Sequence, residues 1–384
     1  MQIDDRFDSG NIEVIDASDP ADIRLTIRPD PPSETAKGVV RYRQWFHFRL
    51  AGVRDVPLTI HLEDVAAWSY PKGWEGYRAV CSSDHRHWGR ADTAYEDGHL
   101  TIRVTPDADV LWLAYFAPYA LERLRRRIGE WCRHADVWLR PLCRTVEGRP
   151  LDRLIIGRPA RDVPVVWVVA RQHPGETMAS WWMEGFVRRL LDDHDGLARR
   201  LRERATFHVV PLMNPDGSHH GFIRTNARGV DLNRAWEEPP MDDAPEVHAT
   251  LAAMDRTGVD LCLDVHGESD IPHSFVTGPH GVEAWGARLE SQERAFCDAY
   301  ERANPDFQQV AGYPRDRPGR VTMGILKNAI TQRFGCYATT LEMPFKHSTD
   351  VDDETPGWNP ERCQRMGASA LSAFDAALDA LARG

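Results

Sequence analysis

Pro164-Val-Val-Trp-Val-Val-Ala-Arg-Gln-His-Pro-Gly-Glu176 decides how this chain reads. Residues 165–169 are apolar without a break and show no 3.6-residue period, which predicts a buried strand. Pro174 and Gly175 then bend the backbone, and a segment expected to be an amphipathic helix, 177–191, follows at once. His173 and Glu176 thus flank a strand-to-helix turn, where an imidazole and a carboxylate can reach one metal ion. Two His and one Glu, with water in a fourth position, form a catalytic zinc set. Alone, His-x-x-Glu describes an exposed helix cap just as well, so the reading needs partners elsewhere.

Working outward, strand candidates at Leu154–Ile156, 206–212, 260–265 and 339–341 alternate with helical stretches at 181–191, 282–302 and 360–381. Strands alternating with helices predict an α/β domain with a mostly parallel or mixed sheet covered by helices on both faces. Ligands of such sheets bind at the carboxyl ends of the strands. Before it, residues 10–117 form short alternating segments (23–27, 42–50, Leu58–Leu62, 100–104, 110–116) cut by Gly52, Pro57, Pro71, Gly73 and Asp97-Gly98. Period two at short, regular spacing predicts an all-β antiparallel sandwich. His85 and His87 in that region read as solvated loop residues. The basic stretch Leu121 to Trp131 reads as a linker helix with a solvated or interdomain charged face. The expected domains are therefore a sandwich over 1–120, a helical linker over 121–136 and an α/β domain over 137–384.

Composition narrows the function. A formal net charge of −11 argues against a nucleic-acid surface, which needs a basic face. Seven cysteines without a Cys-x-x-Cys pair suit reduced thiols in a cytoplasm. The first residues show no basic and apolar leader pattern, and no apolar run approaches ~18 residues, so neither secretion nor a membrane span is expected.

The chemistry gathers at three strand ends. The apolar strand Leu261-Cys-Leu-Asp-Val265 ends in His266-Gly-Glu, and Ala338-Thr-Thr-Leu-Glu342 closes on a carboxylate. His173 with Glu176 and His266 can hold a metal, and Glu342 can take the proton of its water. Between them lie Asn214-Pro-Asp-Gly217, Arg224 and Asp231-Leu-Asn-Arg234. Asn233 and Arg234 suit an anion clamp, although Arg234 could instead pair structurally with Asp231 or Asp264.

With His173-Pro-Gly-Glu176, Asn214-Pro-Asp-Gly217, Arg224, Asp231-Leu-Asn-Arg234, Asp264-Val-His-Gly267 and Thr340-Leu-Glu342 in this order, the chain resembles the zinc metallocarboxypeptidases. Its N-terminal region, ending in Ala114-Tyr-Phe-Ala-Pro-Tyr119, resembles the β-sandwich of their cytosolic carboxypeptidase branch. The resemblance implies one Zn2+ per chain on His173, Glu176 and His266, Glu342 as general base, and Arg224 polarising the scissile carbonyl. It also implies Asn233 and Arg234 on the terminal carboxylate of a peptide or protein substrate. Relatives place a side-chain-selecting residue near the offset of Lys327, and a basic group there implies acidic C-terminal residues. Arg320 and Arg333 are candidates for the same task. The substrate-capping tyrosine of digestive relatives has no counterpart in 320–327, and that role stays unassigned. An amidohydrolase of N-acyl amino acids and a non-catalytic peptide-binding module stay open, as does the oligomeric state.

Overall fold

In this computed structural model, which describes residues 1–157, 163–347 and 357–383, the strand Val165–Ala170 lies at the middle of a seven-stranded sheet. Across the sheet the order is Val137–Leu139, Leu154–Ile156, Thr206–Val210, Val165–Ala170, Leu261–Val265, Tyr337–Glu342 and Phe275–Thr277. The four central strands pair in parallel and the outer three antiparallel, so the sheet is mixed. Alternation decides which helices cover which face. Val166, Val168 and Ala170 join one apolar core, whereas Trp167 and Val169 join another on the opposite side. Helices Met178–Leu190, Ala287–Ala303 and Pro360–Arg383 pack into the first core, and Pro245–Thr257 and Leu326–Phe334 into the second.

Three sequence expectations shift. The strand expected over 206–212 stops at Val210, because Pro211 offers no N–H to a ladder. The helix expected over 282–302 starts only at Ala287, after an extended Gly286. The segment 177–191 is not amphipathic: Met178–Leu190 is buried on nearly every side, pressed between the sheet and Pro360–Arg383. Glycines allow that approach, since a Cβ at Gly185 would lie 2.0 Å from the Gln364 carbonyl oxygen and one at Gly367 2.0 Å from that of Trp182. Phe186 and Phe374 meet across the contact with ring centroids 5.5 Å apart, and cutting either to alanine should cost about 3–5 kcal/mol.

The N-terminal region forms two five-stranded sheets. One runs Gln2–Asp4, His47–Ala51, Val110–Ala114, Val80–Ser82 and Gly89–Arg90; the other Asp92–Glu96, His99–Val104, Leu58–Leu62, Ile23–Thr26 and Glu13–Asp16. All pairs are antiparallel except Ile23–Thr26 with Leu58–Leu62, which is parallel. The strand expected over 42–50 runs instead over His47–Ala51, and Trp45, Phe46, His47 and Phe48 are buried in succession rather than alternately. Inward residues such as Phe48, Ile60, Ile102 and Leu113 share one continuous core with the helices of the larger sheet. Helix Leu121–Trp131 bridges the two halves, burying Leu124 and Ile128 while Arg123 and Arg127 pair with Glu184.

Candidate active site

The strand Val165–Ala170 delivers its turn through a strained residue. Arg171 has φ +59° and is fully buried, its guanidinium donating to the Pro174 carbonyl at 2.8 Å and the Tyr119 carbonyl at 2.9 Å. A non-glycine residue in the left-handed region is uncommon and persists only where its surroundings over-determine it. Here those two carbonyls fix it, and the next residues, Gln172 and His173, turn toward the ends of the neighbouring strands. The Gln172 amide donates to Asp264 at 2.7 Å and its oxygen accepts from Trp236 at 2.7 Å. Asn214 caps its own helix through Gly217 and donates to the Gln172 carbonyl, so the Asn-Pro-Asp-Gly motif scaffolds the turn.

His173, Glu176 and His266 converge in the interior, with one ligand atom from each lying within 4.8 Å of the others. His173 Nδ1 is 2.7 Å from Glu176 Oε1, His266 Nδ1 is 2.8 Å from Glu176 Oε2, and the two Nδ1 atoms are 3.2 Å apart. Behind them, His173 Nε2 meets Asp231 at 3.0 Å and His266 Nε2 meets Asp264 at 2.7 Å. Ring N–H groups directed at carboxylates leave the other ring nitrogens as lone pairs, which is how metal-bound histidines are oriented. Where a cation takes the place of the proton these rings otherwise hold, the two Nδ1 atoms and a Glu176 oxygen face it as three acceptors, an arrangement that fits a shared metal ion. Histidine nitrogens with one carboxylate suit zinc.

Electrostatics sharpen the picture. Burial would raise the Glu176 pKa, but His173 and then His266 pull it well below the usual range. Burial likewise pushes Asp231 up, and Arg224 and then His173 more than offset it. Glu342 goes the other way: burial, reinforced by the nearby Glu176, Glu268 and Asp264 charges and opposed by His266, holds its pKa well above the ordinary value. Glu342 Oε2 is buried and has no hydrogen-bond partner among the described residues. Buried polar atoms without partners are rare enough to need a reason.

One pocket of about 730 Å³ takes in His173, Glu176, His266, Glu342, Arg224, Asn233, Arg234 and Lys327, the residues given metal, catalytic or substrate-binding roles from the sequence. Arg224 donates from Nε to Asp231 at 2.7 Å and from Nη1 to the Tyr70 hydroxyl at 2.8 Å. Asn233 is buried, and its side-chain oxygen accepts from the Leu326 backbone at 2.9 Å. Arg234 is exposed and donates to its neighbour's carbonyl at 2.8 Å; among the described residues no ion pair joins it to Asp231 or Asp264. Lys327 is 5% exposed, too buried for an ordinary surface lysine. Its ammonium donates to Thr277 Oγ1 at 3.0 Å and the Gly278 carbonyl at 2.6 Å, with Asp316 3.6 Å away. Burial lowers its pKa, and Asp316 opposes that shift.

Two sequence expectations are corrected here and in the sandwich. Arg333 pairs with Asp255 on the surface and does not line the pocket, whereas Arg320 does. His85 is not a solvated loop residue: it is half-buried and stacked on His47 at 5.3 Å, while His87 is exposed. Tyr70, Glu268 and Tyr313 also line the pocket, and the Tyr313 hydroxyl donates to Glu268. The sequence carries no local signal for Tyr70, which lies 154 positions from Arg224.

A mixed sheet with buried His, Glu and His donors at its carboxyl-terminal edge is the frame of a metallohydrolase. Residues 137–348 match the zinc carboxypeptidase family and residues 3–116 the cytosolic carboxypeptidase N-terminal domain. The chain belongs to the zinc carboxypeptidase family and is a metallocarboxypeptidase. A metallo-carboxypeptidase from Burkholderia cenocepacia is 40% identical, superposes with a TM-score of 0.94 and covers 98% of this chain and 99% of its own. A metallo-carboxypeptidase from Pseudomonas aeruginosa, solved in complex with (2-guanidinoethylmercapto)succinic acid, is also 40% identical, with a TM-score of 0.94 over 99% of this chain and 100% of its own. Cytosolic carboxypeptidase 2 of Danio rerio is 29% identical over 77% of this chain, which spans 44% of that relative's length.

Proposed function

We propose that this protein is a zinc-dependent carboxypeptidase that removes acidic residues, glutamate or aspartate, from peptide or protein C-termini. The observation that carries the reading is the convergence of His173, Glu176 and His266, each imidazole backed by a carboxylate, beside the unpartnered Glu342 Oε2 in one pocket. One Zn2+ held by those three residues supplies Lewis acidity and brings the pKa of a bound water to about 7. Glu342 takes the proton of the attacking water and returns it to the departing amine. Arg224 polarises the scissile carbonyl and stabilises the oxygen on which negative charge develops. Asn233 and Arg234 hold the terminal carboxylate, Arg234 with the two-pronged geometry only a guanidinium offers.

Lys327 supports the acidic preference. A buried ammonium on the pocket wall attracts a carboxylate side chain, with Asp316 as its competitor. The seven free thiols suit a cytoplasmic setting.

Mass spectrometry of the zinc-loaded protein with peptides differing only in their C-terminal residue tests this reading. Stepwise loss of C-terminal glutamate or aspartate, absent in Glu342→Gln, is the expected result. Preferential loss of basic or aromatic residues would remove Lys327 from the specificity pocket. Cleavage of N-acyl amino acids alone would replace the peptidase reading.

A further inference from the structure

Most of what fixes Arg224 comes from the other half of the chain. Asp30, buried in the N-terminal region, accepts the backbone N–H groups of Ile223 at 2.9 Å, Arg224 at 2.8 Å and Thr225 at 2.9 Å, and the Thr225 hydroxyl at 3.3 Å. The Tyr70 phenol accepts from Arg224 Nη1 at 2.8 Å, and the guanidinium carbon lies 5.4 Å from the centre of the Tyr42 ring. Among the described residues, Asp231 is the one hydrogen-bonding partner of this side chain from the larger sheet's half.

The three sandwich residues are themselves braced. Asp30 donates its backbone N–H to the Tyr42 carbonyl at 2.8 Å. Tyr70 is gripped by the buried Gln44 side chain, whose oxygen accepts from the Tyr70 N–H at 3.2 Å and whose amide donates to the Tyr70 carbonyl at 3.3 Å. The segment carrying Arg224 is pinned on both flanks. Asn11 donates to the Gly221 carbonyl at 3.1 Å, and a Cβ on Gly229 would lie 2.1 Å from the Pro32 carbonyl oxygen. With Nε on Asp231 and Nη1 on Tyr70, Arg224 Nη2 has no hydrogen-bond partner among the described residues, and Arg224 and Tyr70 both line the pocket of the metal-ligand cluster.

We propose that the sandwich is a working part of the peptidase site, with Asp30, Tyr42 and Tyr70 as positioning residues that lock Arg224 for the transition state. This rests on the reading of Arg224 as the carbonyl-polarising residue. The physical reason is preorganisation: a long, flexible arginine side chain has much rotamer entropy to lose, and a donor already fixed contributes more where charge develops. Burial raises the Tyr70 pKa, with Arg224 opposing, so the phenol stays neutral and can accept from the guanidinium.

Tyr70→Phe removes one oxygen and keeps the ring, so it tests the contact with little risk to folding. Positioning predicts a kcat lower by on the order of tenfold, a KM within about twofold and a nearly unchanged Tm. It also predicts that the same substitution has almost no further effect in an Arg224→Gln background. Asp30→Asn should act in the same direction; if that variant fails to fold, Tyr70→Phe still decides. Wild-type kcat and KM in Tyr70→Phe, beside a large loss in Arg224→Gln, would reduce the contact to packing and overturn the proposal alone. Near-normal activity in Arg224→Gln would overturn the role of Arg224, and the proposal with it.

Discussion

Two pairs of histidines face each other in this molecule at almost the same distance, in opposite electrostatic settings. In the pocket, the Nδ1 atoms of His173 and His266 are 3.2 Å apart; in the sandwich, the Nε2 atoms of His47 and His85 are 3.3 Å apart. The pocket rings are steeply inclined at 65° and backed by Asp231 and Asp264, with Glu176 between them. The sandwich rings are nearly parallel at 14°; His47 is backed by the Ser9 hydroxyl, and Trp88 packs against both. Burial lowers the pKa of His266, but Asp264 and Glu176 drive it well above the ordinary value. Burial lowers His47 too, and His85 adds to the effect, so it ends well below. Two imidazoles within reach do not by themselves mark a metal site; the carboxylates behind and between His173 and His266 are what set that pair apart as a candidate.

The comparison is tested hardest at the free carboxylate that only the pocket pair has beside it. Glu342→Gln should keep one zinc per chain by metal analysis and lose about three or more orders of magnitude in kcat, in line with loss of a general base; near-normal turnover would end its role. Next come the carboxylates behind the rings. Asp264→Asn should weaken zinc binding about 10–100-fold in a chelator competition, whereas Ser9→Ala behind His47 should leave it unchanged. Equal effects would erase the distinction between the pairs.

Lys327→Glu acts farther from the metal. It should shift kcat/KM away from acidic C-terminal residues by roughly tenfold or more, read on matched peptides, with zinc content untouched.

The smallest effect belongs to the sandwich pair and to pH. Because His47 is held below its unfolded pKa, the unfolded chain binds more protons as pH falls below about 6.5. Stability contributed by keeping the ring neutral is therefore present above that pH and lost on acidification. Comparing Tm at pH 7 and pH 5, His47→Gln should flatten the decline by at most about 1.4 kcal/mol per pH unit. An identical slope would show that His85 or another group carries the titration.

What was legible in the sequence follows how far each determinant lies from its partner. His173, Glu176, His266 and Glu342 stand at the ends of continuous apolar strands, and strand ends in such a sheet meet along one edge. Asp231 and Asp264 lie inside the Asp-Leu-Asn-Arg and Asp-Val-His-Gly motifs, yet their contacts behind the imidazoles appear only when the rings are placed. The burial of Met178–Leu190 depends on Pro360–Arg383, far along the chain, so a local reading saw one apolar face where there are several. The burial of His85 has no local signal, because its partner His47 lies 38 positions earlier. Asp30 and Tyr70 lie 194 and 154 positions from Arg224 and carry no motif, so only the fold brings them to it.

The most direct test of the central claim is an anomalous difference map at the zinc edge from crystals of the zinc-loaded protein. One peak is expected, bounded by His173 Nδ1, the Glu176 carboxylate and His266 Nδ1, and none between His47 and His85. A peak at the sandwich pair, or none among the three pocket residues, would contradict it.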